Sequence, residues 1–93
     1  MYKNRAPEGG NNLCGRRVRE LRLAMPGHFS QRMLAERLQI EGLDLDKNAV
    51  QRIESGERFV TDIELRALAR VLGVTTGELI GEQTGFGGKK AAQ

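Results

Sequence analysis

A single cysteine, Cys14, stands in the 93 residues, so no intrachain disulfide can form and no cysteine-rich zinc site can be assembled. Thiol-poor chains of this kind fit a reducing compartment, and a cytoplasmic protein is expected. Tryptophan is absent and aromatics amount to only 4%, which leaves Leu, Val, Ile and Ala to build the core. Such a core suits packed helices. No window holds the ~18 apolar residues that a membrane span requires, and the opening "MYKNRAPEGGNN" lacks the apolar run of a secretory signal. The chain is read as soluble, with no membrane partner. His28 is the only histidine. Neither it nor Cys14 has acid, base or ligand partners at motif spacing, so no enzyme, metal site or cofactor is expected.

What is present fits one small domain with a single core. The net charge of +3 is unevenly placed: residues 1–40 hold eight Lys or Arg against Glu8, Glu20 and Glu36, whereas residues 41–93 hold seven against nine acids. Arginine outnumbers lysine eleven to four, a bias suited to planar, bidentate recognition of phosphate or guanine. Residues 1–12 and the tail from Glu82 mix Gly, Asn and polar residues without apolar periodicity, and are expected to be a flexible arm and a flexible tail around a domain spanning 13–81.

Five helices are predicted between these ends, each with a nameable start or stop. "NLCGRRVRELRLAM" places Leu13, Val18, Leu21 and Met25 on one stripe until Pro26-Gly27 ends it. Ser30 is an N-cap for "QRMLAERLQI", in which Ala35, Leu38 and one of Met33 or Leu34 face the core. Asp46 caps "KNAVQRIES", closed by Gly56. Thr61 with Glu64 forms a capping box for a helix carrying Leu65, Leu68, Ala69 and Leu72 up to Gly73, and Thr75 with Glu78 repeats the device for a short last helix.

The stretch "DLDKNAVQRIESG" begins like a calcium loop, with Asp44, Asp46 and Asn48 at alternate positions. The demanding slots fail: Ala49 stands where the sharp turn needs glycine, and Ser55 where a bidentate glutamate is needed. Capping by Asp46 already explains the acids. On a helical wheel at about 100° per residue, Val50, Ile53 and Glu54 fall on one side and Asn48, Gln51, Arg52 and Ser55 on the other. Asn, Gln and Arg are the side chains that pair bidentately with adenine or guanine edges in the major groove. A solvated helix face has the same composition, so the face alone leaves both readings open.

Together, "VRELR", "FSQRMLAERL", "VQRIESGER" and "IELRALARVLGV" resemble the Cro/repressor-type helix-turn-helix family, also called the XRE family, over roughly residues 16–81. The resemblance implies an all-α, five-helix domain whose third helix, about 47–55, enters the major groove. It further implies base contacts from Lys47, Asn48, Gln51 and Arg52, phosphate contacts from Ser30, Gln31 and Arg58, and a structural ion pair between Arg22 and Glu54. Gln31 also reads as an ordinary first helical residue and Arg58 as a solvated loop cation. Arg16, Arg17 and Arg19 read either as approaching phosphate or as facing water, with water the favoured reading. Whether Lys3 and Arg5 in the arm touch DNA is left open.

Two departures from the family pattern stand out. "MPGHF" lengthens the first interhelical loop by about two residues, and "IEGLDLD" expands the turn before the third helix by about five, relative to the usual three-to-four-residue turn. Ile40, Leu43 and Leu45 are expected to bury and make that turn a rigid corner, with Glu41 and Asp44 pointing away from phosphate. The functional expectation is a sequence-specific transcriptional regulator, a repressor in the simplest case, binding double-stranded DNA as a homodimer. The alternative is an antitoxin that binds a toxin protein and its own promoter.

Overall fold

A computed structural model of the chain describes residues 10–81. Within them run five helices and no strand: α1 Gly15–Ala24, α2 Gln31–Ile40, α3 Lys47–Ser55, α4 Asp62–Leu72 and α5 Thr76–Leu79. The all-α expectation holds, and the caps explain where the helices begin. Ser30 Oγ accepts from the Met33 amide, Asp46 Oδ1 from the Ala49 amide, and Thr61 and Thr75 each form a reciprocal capping box with the glutamate three residues on. One apolar pair recurs beside each cap, the residue before it and the one five positions later: Phe29 and Leu34, Leu45 and Val50, Val60 and Leu65, Val74 and Leu79. All eight belong to the core or pack against it, the arrangement of a hydrophobic staple that fixes each entry angle.

The long turn between α2 and α3 is a closed corner. Gly42, at a φ of +97°, lets its own amide reach Gln39 O and lets the Leu43 amide return to Leu38 O at 3.0 Å, which satisfies the last carbonyls of α2. Gln39 Nε2 then donates to Leu45 O at 2.8 Å. Leu45 is buried and Leu43 half-buried, as expected, but Ile40 is 79% exposed. It lies about 200° around α2 from Leu38, so it faces outward while Leu45 fills the core as the partner of Val50. Glu41 turns toward α4, where Arg70 Nη1 donates to its Oε1 at 2.9 Å. Asp44 is exposed.

At the N-terminal side two expectations change. Leu13, expected on the first apolar stripe, is 55% exposed, because it precedes the helix and Cys14 takes the buried place. Residues 10–12, expected in a flexible arm, are fixed against the end of α3. The Asn11 amide donates to Gly56 O at 2.7 Å, and Asn12 Nδ2 donates to Ile53 O at 3.1 Å and Arg58 O at 2.7 Å. Asn12 Oδ1 meanwhile accepts from the Gly15 amide at 2.7 Å, capping α1 in place of Cys14. Lys3, Arg5 and the tail from Glu82 lie outside the described residues.

Candidate nucleic-acid interface

The third helix divides cleanly into two faces. Ala49, Val50, Ile53 and Glu54 are buried, and Lys47, Asn48, Gln51, Arg52 and Ser55 are exposed. A buried apolar stripe holds the helix, so its polar side is presented by a rigid element rather than a loop. Ser55 Oγ donates to Arg52 O at 3.1 Å and is used within the helix end. Arg52 and Lys47 form no ion pair among the described residues.

Behind this helix lies a buried charged cluster. Arg22 on α1 donates from Nε to Glu54 Oε2 at 2.7 Å and from Nη2 to Oε1 at 3.1 Å, a two-pronged pair, and its Nη1 donates to Phe29 O at 3.0 Å. Gln31 Nε2 donates to the same Glu54 Oε1 at 3.0 Å. One arginine thus ties α1, the chain entering α2, and α3 together. Gln31, at the first position of α2, is held against α3 by the carboxylate that Arg22 neutralises. Ser30 caps the same helix start, whose free amides make a favourable place for an anion.

Arg58, which the sequence offered as a phosphate contact or a solvated loop cation, is engaged within the fold. Its Nη1 donates to Glu64 Oε1 at 2.8 Å and to Phe59 O at 3.2 Å, tying the loop after α3 to the start of α4. Burial on its own would push the Glu64 carboxyl up, but hydrogen bonds from Arg58 and Thr61 outweigh it and hold the group below its ordinary value of 4.5. The fold therefore favours the ionised form. That stability is present above about pH 4.5 and is lost as pH falls through the lower folded value. Melting curves of wild type and Glu64→Gln should accordingly differ at neutral pH and converge in the acid range; a gap that stays constant down to full protonation would remove Glu64 from the account.

Cys14 is enclosed, and burial pushes its thiol up to about 11, so it stays protonated and is no nucleophile at neutral pH. Among the described residues no three His, Cys, Asp or Glu side chains converge to hold a metal ion, and Asp46 is occupied by its cap. No helix of the described residues is long and apolar enough to cross a membrane.

A five-helix array with α1 and α3 joined through a buried arginine–glutamate pair, and a polar face on α3, is matched over residues 18–79 by the helix-turn-helix family. The chain belongs to that family, in its Cro/repressor form. Neither curated proteins nor solved structures gave a match. Membership makes this a DNA-binding domain of regulator type. Two residues of this helix-turn-helix domain escaped the sequence reading, Asn12 and Gly15. Their signal was present only weakly, as an Asn three residues before a Gly at a helix start.

Proposed function

We propose that the protein is a sequence-specific transcriptional regulator that binds double-stranded DNA as a homodimer, with α3 in the major groove. The observation that carries this reading is the exposed set Lys47, Asn48, Gln51 and Arg52 on a helix whose opposite side is buried. Helix N-terminal residues reach base edges in this mode of docking, which puts Lys47 and Asn48 first, with Gln51 and Arg52 one turn on. Ser30 and Gln31 take a phosphate at the start of α2, and the phosphate fixes register while α3 supplies specificity. Arg58 contributes by holding the loop after α3 through Glu64.

Selection of binding sites from random duplexes by the purified protein tests the proposal, and a palindromic consensus with half-sites about 34 to 36 Å apart is the expected result. On that consensus, Arg52→Ala should weaken binding by about 1 to 3 kcal/mol and relax preference at one base pair. An equal loss on cognate and random DNA would place Arg52 on phosphate instead.

A further inference from the structure

The connection between α2 and α3 runs over six residues, 41–46, and delivers the chain into the helix that carries Lys47 and Asn48 at its start. A connection of this length holds its ends together less firmly than a tight turn does, since each added residue adds backbone freedom. Recognition needs the opposite: side chains that read a ligand must be held within about 0.5 Å and roughly 10 to 20° of their working geometry. A rigid entry into α3 therefore has to come from contacts inside the corner.

Three polar ties cross the corner, and they are not equivalent. The Leu43 amide returns to Leu38 O at 3.0 Å, which closes the end of α2 and stops short of α3. Arg70 holds Glu41 at 2.9 Å, but the Arg70 side chain is 57% exposed and the pair sits at the first residue of the corner, so solvent screens it. Gln39 reaches across: from the last turn of α2 its Nε2 donates to Leu45 O at 2.8 Å. No other hydrogen bond among the described residues takes that carbonyl. Leu45 is the residue before the Asp46 cap, whose Oδ1 receives the Ala49 amide at 2.8 Å. The buried Leu45 side chain sets how deep this point lies, and the bond to its carbonyl sets the rotation of the peptide from which α3 starts.

We infer that Gln39 is a positioning residue for DNA recognition: it touches no base, and through Leu45 O it fixes the angle at which α3 presents Lys47, Asn48, Gln51 and Arg52. The inference rests on the placement of α3 in the major groove proposed above. Gln39 is uncharged, so phosphate attraction, which governs binding to any sequence, does not depend on it. Base readout does, because without the tie α3 has to be ordered at the moment of binding, at a cost no larger than the bond is worth. For one hydrogen bond that is about two- to tenfold in an equilibrium constant.

The test is Gln39→Met, which keeps length, charge and helix propensity and removes the donor. Thr75→Ala is the control: it deletes the cap of α5 and lowers stability away from the corner. Two quantities are read for each variant. One is the ratio of affinities for the selected duplex and a random duplex; the other is the hydrogen-exchange rate of the Ala49 and Val50 amides, which bond to Asp46. Expected for Gln39→Met is a fall of about two- to tenfold in the ratio, with the random-DNA affinity and its salt slope unchanged, and exchange faster by a similar factor in the first turn of α3. Thr75→Ala should lower the melting temperature and leave the ratio where it is. An unchanged ratio in Gln39→Met overturns the inference, and so does an equal loss on both duplexes. A lower ratio with unchanged exchange also overturns it, and makes Gln39 a DNA contact instead. If wild type prefers no sequence, the regulator proposal falls and exchange alone decides: acceleration confined to the first turn of α3 keeps Gln39 as the residue that fixes its entry, and no acceleration removes it from that role.

Discussion

Glu54→Ala is expected to lower the unfolding free energy by about 3 to 5 kcal/mol, because it strands the buried Arg22 guanidinium without its counter-charge. Arg22 and Glu54 side chains retain only 9% and 3% of their exposure, so water cannot readily replace the lost partner. Arg22 would keep one bond, to Phe29 O, and Gln31 would lose its acceptor. The double variant Arg22→Met with Glu54→Leu should be much less damaged than the sum of its singles, since apolar side chains of similar volume remove the desolvation problem altogether. Urea unfolding of wild type, both singles and the double forms the cycle. Additive effects would mean that the pair contributes little beyond its packing. The same cycle has a functional readout: if Gln31 contacts phosphate as proposed, Glu54→Ala weakens DNA binding as well, by releasing Gln31 from the carboxylate that holds it.

Gly15→Ala should destabilise the fold by about 3 kcal/mol, at the upper end of what one added methyl costs in a packed region. A Cβ built at Gly15 would sit 2.2 Å from Ile53 O and 3.1 Å from Glu54 O. Both are backbone atoms in α3, so no side chain can swing aside and the helices themselves must part. For a domain of this size the loss corresponds to a fall in melting temperature of roughly 12 to 24 °C. Gly27, where a Cβ would meet nothing within 4 Å but φ is +73°, gives the contrast. Gly27→Ala tests backbone strain without crowding and should cost less. Equal losses at the two positions would show that the closeness of α1 to α3 is not what Gly15 serves.

Much of the architecture was legible in the sequence because it is local. A cap and the amide it receives lie three residues apart, and the apolar pairs beside the caps lie five apart. Helix starts at Ser30, Asp46, Thr61 and Thr75 therefore followed from the chain alone. The division of α3 into a buried and a polar side followed from helical periodicity in the same way. The pairing of Arg22 with Glu54 spans 32 residues, and only the family resemblance, not spacing, raised it.

Where the sequence fell short, the deciding contact was distant or competitive. Leu13 and Cys14 are neighbours of similar apolar character, and which of them is buried depends on how the chain before α1 is held against the end of α3. Ile40 and Leu45 both looked able to fill the corner; the helical angle of Ile40 and the staple position of Leu45 separated them. Arg58 was legible as a cation, but its partner was not: Glu64 stands 2.8 Å away only once α4 is in place.

By itself, then, the sequence determined a helical domain, its caps and the inward and outward sides of α3, since each is written in spacings of three to five residues, while the family was raised by the resemblance of its motifs. Only the tertiary structure decided that Asn12 clamps the end of α3 and that Gly15 must lack a side chain. Those facts join positions some 40 residues apart in the chain, and no local periodicity records which distant backbone a helix will be pressed against.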